Sequence, residues 1–415
     1  MNKFKVGYFG LYLLFIGFFA LIWLFIKKDV GNDWGISEWI INYQGGFTRR
    51  GLPGEVAFNI AQTFNLQLRF VIFLFQSIFY LAYLVLIYNF FKKIKINIFI
   101  IFAIFSPIFL LYHVAELESL ARKEIFLFIG YLWFYNISKK QDPIIKPILW
   151  VIFILPIVSI LYEPAIFYYS FFAATIIIKI KKISLIKILT LLILIFIPSI
   201  ILSWFSAFNL IDTNGFNLMK LSLYENFGES CYGSCNMMST KKEVSVHIMS
   251  TISKLTEREN SIFIYLFRYT LIMLIGSAPL LILIKNSVFN IKVFGFQKLI
   301  YPFLILNVMV PIHWLMFIDW GRAVNITYVS SILFFFYLYK NNFIKINFTN
   351  IKKQTNDFIG IFLKNNYIKR KPLVVFIFII YAFGWSPPTL LSADVNSFPG
   401  YRIPYKTSKL LFSNN

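Results

Sequence analysis

Residues 68–95 read LRFVIFLFQSIFYLAYLVLIYNFFKKIK. The stretch from Leu68 to Phe91 carries one charge, Arg69 at its start, and the run stops on Lys92, Lys93 and Lys95. A helix rises about 1.5 Å per residue, so about 20 apolar residues cross the hydrocarbon layer of a bilayer. The stretch therefore predicts a membrane-spanning helix with a basic end held in water.

The same pattern recurs outward from it. Apolar runs lie at approximately 8–26, 96–113, 125–138, 147–162, 165–179, 184–204, 261–284, 299–318, 323–339 and 372–386. With 68–91 they predict an all-α, polytopic membrane bundle of about eleven transmembrane helices. Residues 1–415 then form a single integral membrane domain. Composition agrees, with 59% hydrophobic and 14% charged residues and a mean hydropathy of +0.71. The first run follows Lys3 and Lys5 and is followed by Lys27 and Lys28 with no small-residue cleavage site, which reads as an uncleaved first span.

The formal charge of +22 does not call for nucleic acid, because Lys and Arg gathered beside apolar runs are what the cytoplasmic side of a membrane protein requires. Short basic connections recur at Lys92, Lys93 and Lys95; at Lys139, Lys140 and Lys146; at Lys179, Lys181, Lys182 and Lys187; at Lys285, Lys292 and Lys298; and along 340–371. Placing these in the cytoplasm predicts an amino terminus inside and a carboxy terminus outside. Of the 18 Asp and Glu, only Asp142 and Asp357 then fall inside, so the acids crowd the outward face. The outward loops are about 27–67 and 205–260, with a periplasmic tail at about 387–415.

Four constellations stand on that outward face. The first loop reads DWGISEWIINYQGGFTRRGLPGE, with Asp33, Glu38 and Glu55 around Arg49 and Arg50 and glycines that let backbone approach a ligand closely. Adjacent guanidinium forks suit phosphate oxygens, although such a loop also suits lipid headgroups. HVAELESLARKE sets Glu116, Glu118, Arg122, Lys123 and Glu124 between two apolar runs, and helical spacing would face Glu118 to Arg122. Glu163 stands alone in ILYEPAIFYY, a costly place for a carboxylate without a role or partner and the expected catalytic acid or base. PIHWLMFIDWGRAVN brings His313, Asp319 and Arg322 together, with Asp319 and Arg322 spaced to pair.

Cys231 and Cys235, in CYGSC, would meet an oxidising compartment and form a local disulfide. Too few further ligands stand near them for zinc, only His247, and no metal site is expected. Nucleotide-loop, nucleophile-elbow and zinc-hydrolase motifs do not occur.

GGFTRRG, ARKE and DWGR, on a long Ile- and Phe-rich chain, resemble bacterial polysaccharide polymerases of the Wzy type and, more widely, membrane glycosyltransferases of the GT-C class. The likeness covers most of the chain as architecture. It departs in two places: Asp33 and Glu38 are five apart where GT-C enzymes usually carry adjacent acids, and the loop 205–260 holds only Arg258 where polymerases often have an Arg-rich loop. The resemblance implies extension of an undecaprenyl-diphosphate-linked oligosaccharide on the periplasmic face of a bacterial inner membrane, building O-antigen or capsule without a cofactor. Membrane lipids and a chain-length regulator are the implied partners. In that chemistry Arg49, Arg50, Arg122, Lys123, His313 and Arg322 would hold the substrate, and Glu163, Glu118, Asp319 and Glu38 are the candidate bases. A GT-C transferase adding one sugar from a polyprenyl phosphate, and a lipid-linked glycan flippase, are the alternatives. Acids gathered at one end disfavour transport.

Overall fold

Apolar side chains without interruption favour helix in a medium that offers the backbone no water, and helices dominate the computed structural model. The structure describes residues 6–31, 33–180, 184–209, 211–239, 244–257, 261–293, 296–351, 353 and 370–390, with isolated positions beyond. Lys181, Lys182, Arg258, Asp357 and most of the basic loop and of the carboxy-terminal tail lie outside the described residues. Five described helices are long and apolar enough to cross a membrane: Gly7–Lys27, Leu68–Phe91, Ile186–Phe208, Ser261–Lys285 and Trp320–Lys340. Shorter apolar helices pack among them, including Ile125–Ile137 and Ile145–Leu161. The chain is a helical membrane protein.

Trp320–Lys340 is the central element, since its apolar window is wholly enclosed by other helices. It carries polar groups where its neighbours break. The run expected at 96–113 stops after Ile104, ahead of Pro107, and resumes only as a single turn at Tyr112–Ala115. Asn325 Nδ2 donates to the freed carbonyls of Ile108 and Phe109, both at 3.0 Å, and Tyr328 Oη donates to that of Ala103 at 2.7 Å. The run 299–318 also divides, into Ile300–Leu306 and Val310–Met316, and Ser170 Oγ donates to the Leu306 carbonyl at 2.8 Å. Broken helices are tolerated at membrane depth where protein groups satisfy them in this way.

The two ends of the bundle differ. At one, Lys340 Nζ donates to the Phe90 carbonyl at 3.0 Å, Lys179 Nζ to that of Asp142 at 3.0 Å, and the Lys140 amide to Asn341 Oδ1 at 3.2 Å. The basic connections thus gather together. Here the all-α expectation misses a small antiparallel sheet, in which Ser287–Val293 pairs with Phe296–Lys298 on one side and Ile344–Ile346 on the other. Two of its strands begin just after the helices ending at Lys285 and Lys340, and their β-branched Val288, Ile291, Val293, Ile344 and Ile346 suit a strand.

At the other end the first loop folds inward as two short helices, Trp34–Trp39 and Leu52–Thr63. Gly54 lets them touch: a Cβ there would lie 2.0 Å from the Ile41 carbonyl oxygen and 2.5 Å from that of Trp39. Gly54→Ala should therefore force the two helices apart and cost about 1–3 kcal/mol of overpacking. A lowered unfolding midpoint in detergent checks this, against an unchanged midpoint for Gly7→Ala, where nothing lies within 4 Å.

Candidate functional site

The acid-rich end is built around Glu38, which has no exposed surface. Its helix starts at Asp33, whose carboxylate caps the Ile36 amide at 2.9 Å and pairs with Lys27 at 2.7 Å. Glu38 Oε1 accepts from Arg50 Nη1 at 2.9 Å, and its Oε2 accepts from Arg122 Nε at 2.6 Å. Arg50 then turns its other edge to Glu163, with Nε on Oε2 at 2.8 Å and Nη2 on Oε1 at 2.7 Å. The result is a line of alternating charge, Arg122–Glu38–Arg50–Glu163.

A second group adjoins it. Arg322 binds both oxygens of Glu124, at 3.1 and 2.7 Å, and reaches Asp319 Oδ2 with Nη1 at 2.8 Å. Arg122, Lys123 and Glu124 are consecutive, so one short segment ties the two groups together. Buried charges are tolerated only when paired and hydrogen-bonded. Removing one partner of such a pair costs about 3–5 kcal/mol.

Backbone strain marks the same places. Arg50 and Ala121 sit in the left-handed region, at φ of 59° and 49°. Side chains without glycine's freedom are disfavoured there by about 1–2 kcal/mol. Both carbonyls are captured: Lys123 Nζ donates to that of Arg50, and Trp39 Nε1 donates to that of Ala121 at 3.1 Å. Such strain persists where the surroundings over-determine it.

Between the groups lies a small, partly open cleft lined by Arg50, Tyr162, His313, Phe317, Asp319 and Arg322. Arg50 stacks 5.5 Å from the Tyr162 ring centre, and His313 Nδ1 meets Tyr168 Oη at 2.9 Å. Each of the two guanidiniums spends three of its five N–H donors on carboxylates, which leaves donors for a ligand. Asp319 is the carboxylate lining the cleft, and 27% of its side chain remains exposed. Pro388 and Thr389 pack against the start of the helix that carries Arg322: a Cβ on Gly321 would fall 1.8 Å from the Pro388 carbonyl oxygen, and the Gly321 amide donates to the Thr389 carbonyl at 3.2 Å.

Charge follows these contacts. Burial alone would raise the Glu38 carboxyl, but Arg122 and Arg50 outweigh it and hold the group well below the usual carboxylate range. Glu163 is likewise pulled down against its burial by Arg50. Burial pushes the Lys123 ammonium to about 7, with Glu38 opposing and Arg50 assisting.

Most of the residues expected from sequence converge here: Glu38, Arg50, Arg122, Lys123, Glu163, His313, Asp319 and Arg322. Arg49 is half-buried beside them, within reach of the charges of Glu163 and Arg50. Glu163 is not isolated, because its partner comes from 113 residues earlier in the chain. Glu118 does not face Arg122 side chain to side chain. The segment turns through a short 3-10 helix at Leu117–Ser119 and left-handed Ala121, so Arg122 Nη1 takes the Glu118 carbonyl at 3.2 Å. The Glu118 side chain is 49% exposed and lies 3.7 Å from Lys27, away from the cleft. Cys231 and Cys235 are disulfide-bonded, and the Ser234 amide within that loop donates at 2.9 Å to Ser37 Oγ, one residue before Glu38. Arg69 clamps the same loop through both oxygens of Glu229, at 2.6 and 2.8 Å.

Glu124 and Tyr162 escaped the sequence reading as site residues. Glu124 opens a helix buried in the bundle, a position that itself demands a cationic partner. Among the described residues no group of three His, Cys, Asp or Glu side chains is placed to hold a metal ion. No family model, no curated protein and no solved structure matches the chain.

Lys123 makes the electrostatics testable. Its folded value of about 7 lies below the unfolded value of about 10.4, so between these pH values the unfolded chain holds the extra proton and stability rises with pH. Relative to Lys123→Met, the wild-type unfolding midpoint in detergent should climb between pH 7 and pH 9, where tyrosines contribute equally to both proteins. A constant difference would mean that Lys123 stays charged throughout.

Proposed function

We propose that this chain is a membrane glycosyltransferase of the polysaccharide-polymerase kind, extending a polyprenyl-diphosphate-linked glycan at the outer face of a bacterial inner membrane. On this reading it crosses the bilayer about eleven times, with its amino terminus and basic end in the cytoplasm and its carboxy terminus outside. The observation that carries it is the cleft at the acid-rich end, whose lining brings Arg50, Arg322 and Asp319 together, each guanidinium with N–H donors not spent on carboxylates.

Two guanidiniums with spare donors suit the non-bridging oxygens of a diphosphate. As the bond from sugar C1 to the diphosphate oxygen breaks, negative charge grows on that leaving group, and preorganised donors stabilise it. The acceptor hydroxyl oxygen attacks C1 from the opposite face, and its proton passes to Asp319. A new glycosidic bond forms, the configuration at C1 inverts, and the carrier diphosphate departs. Asp319 takes the base role in preference to Glu163, because Glu163 spends both oxygens on Arg50 while Asp319 keeps an edge open to the cleft. Glu38 and Glu163 then act as positioning residues that aim Arg50. Tyr162 and Phe317 supply apolar cleft surface against which a sugar ring can pack.

Asp319→Asn should lower glycan extension by about a hundredfold or more, the scale of a lost general base, while the protein accumulates normally. Glu163→Gln should retain measurable extension with a raised requirement for the lipid-linked substrate, because Gln weakens the hold on Arg50 without removing the base. Product ladders at matched protein levels decide between them. A normal ladder from Asp319→Asn with an empty lane from Glu163→Gln would return the base role to Glu163.

A further inference from the structure

The basic end carries a feature that the glycan cleft does not use. Phe9, Tyr88, Phe91, Ile94 and Ile104 line a small, partly open apolar crevice, with Lys92 as its charged wall. Beyond that wall the cations crowd. Lys92, Lys93 and Lys139 lie close enough to Lys340 for their charges to repel it, and these lysines come from three separate segments. Lys92 Nζ has Asn89 Oδ1 at 2.6 Å and Lys340 Nζ has the Phe90 carbonyl at 3.0 Å, both neutral acceptors.

The acid described at this end does not neutralise the group. Asp142 accepts the Lys139 amide at 3.2 Å and lies 3.7 Å from Lys146, and among the described residues its carboxylate pairs with none of Lys92, Lys93, Lys139 Nζ or Lys340. Like charges so placed call for an anion, and the neighbouring crevice accepts hydrocarbon. One ligand class satisfies both demands at once.

We propose that the basic end binds one anionic phospholipid, with its phosphodiester among Lys92, Lys93, Lys139 and Lys340 and part of an acyl chain in the crevice beside Phe9 and Phe91. Basic pockets between transmembrane helices recognise lipid headgroups through this combination of charge and apolar wall. A soluble phosphate would meet the lysines but leave the crevice unfilled. A zwitterionic lipid would fill the crevice but bring its own cation to the lysines. The ligand would also tie Gly7–Lys27 and Leu68–Phe91 to the end of Trp320–Lys340, because Phe9 and Phe91 belong to the first two and Lys340 to the third.

The test uses the full chain, purified in neutral detergent and examined by native mass spectrometry and thermal unfolding. The probes are dioleoyl phosphatidylglycerol, dioleoyl phosphatidylcholine, short-chain dihexanoyl phosphatidylglycerol and inorganic phosphate. One long-chain phosphatidylglycerol should be retained per protein and raise the unfolding midpoint by several degrees, while the other three probes do neither. Lys92→Gln with Lys340→Gln, and separately Phe9→Trp, should each lower retention at least tenfold. Equal retention of phosphatidylcholine would overturn the charge requirement, and an equal effect of inorganic phosphate or the short-chain lipid would overturn the acyl crevice. Unchanged retention in both variants would place the lipid elsewhere. The probe comparison on wild-type protein decides the matter even where a variant fails to fold.

Discussion

Glu38 is a carboxylate withdrawn entirely from water, and most of the acid-rich end is arranged to make that tolerable. It requires two cations, which arrive from different parts of the chain: Arg50 after a glycine-rich turn, and Arg122 from the segment between two later helices. Holding Arg50 there places its carbonyl in a left-handed turn, which Lys123 secures, and leaves its outer edge facing Glu163. Each pairing creates the next demand. The loop carrying the disulfide braces Ser37 from behind, so the short helix bearing Glu38 is fixed on both faces.

Such a network is an expensive way to gain stability. Apolar residues of equal volume would do as well or better in many buried sites, and the attraction between buried ions barely repays their dehydration. Its value lies in aim. Arg50 and Arg322 are each held by carboxylates on both edges, which leaves one N–H on each terminal nitrogen without a carboxylate, and a guanidinium already fixed loses little freedom when a ligand arrives. The opposite end of the bundle has the contrary character, with lysines bound to neutral oxygens and little acid among them. One end is an internally balanced site and the other an unbalanced cationic surface.

Much of this was legible in the sequence. Uninterrupted apolar runs closed by lysines dictate membrane helices, and Cys231 and Cys235 at a spacing of four, in a loop expected on the outward face, were readable as a pair. The residue types at the site were also visible, because charges beside apolar runs are costly wherever they fall. Partnership was not visible. Glu163 looked solitary because Arg50 lies far away in the chain, and Glu118 seemed matched to Arg122 only while the intervening residues were read as helix. Left-handed Ala121 breaks that register, and no local preference of alanine announces it. The small sheet at the basic end was hidden in part for a related reason, since the strand Ile344–Ile346 is short and its partner lies on the other side of Trp320–Lys340 in the chain.

On the proposed function, Arg50 and Arg322 grip a diphosphate in the cleft that they share with Asp319. A cryo-electron-microscopy structure of the full chain with a polyprenyl-diphosphate-linked oligosaccharide tests it most directly. Phosphate oxygens should lie about 2.7–2.9 Å from both guanidiniums, the distance of charge-assisted hydrogen bonds, with sugar C1 beside Asp319 and the carboxylate pairs of Glu38, Glu163 and Glu124 intact. A diphosphate bound at another part of the molecule, with the cleft empty and both guanidiniums unengaged, would contradict it.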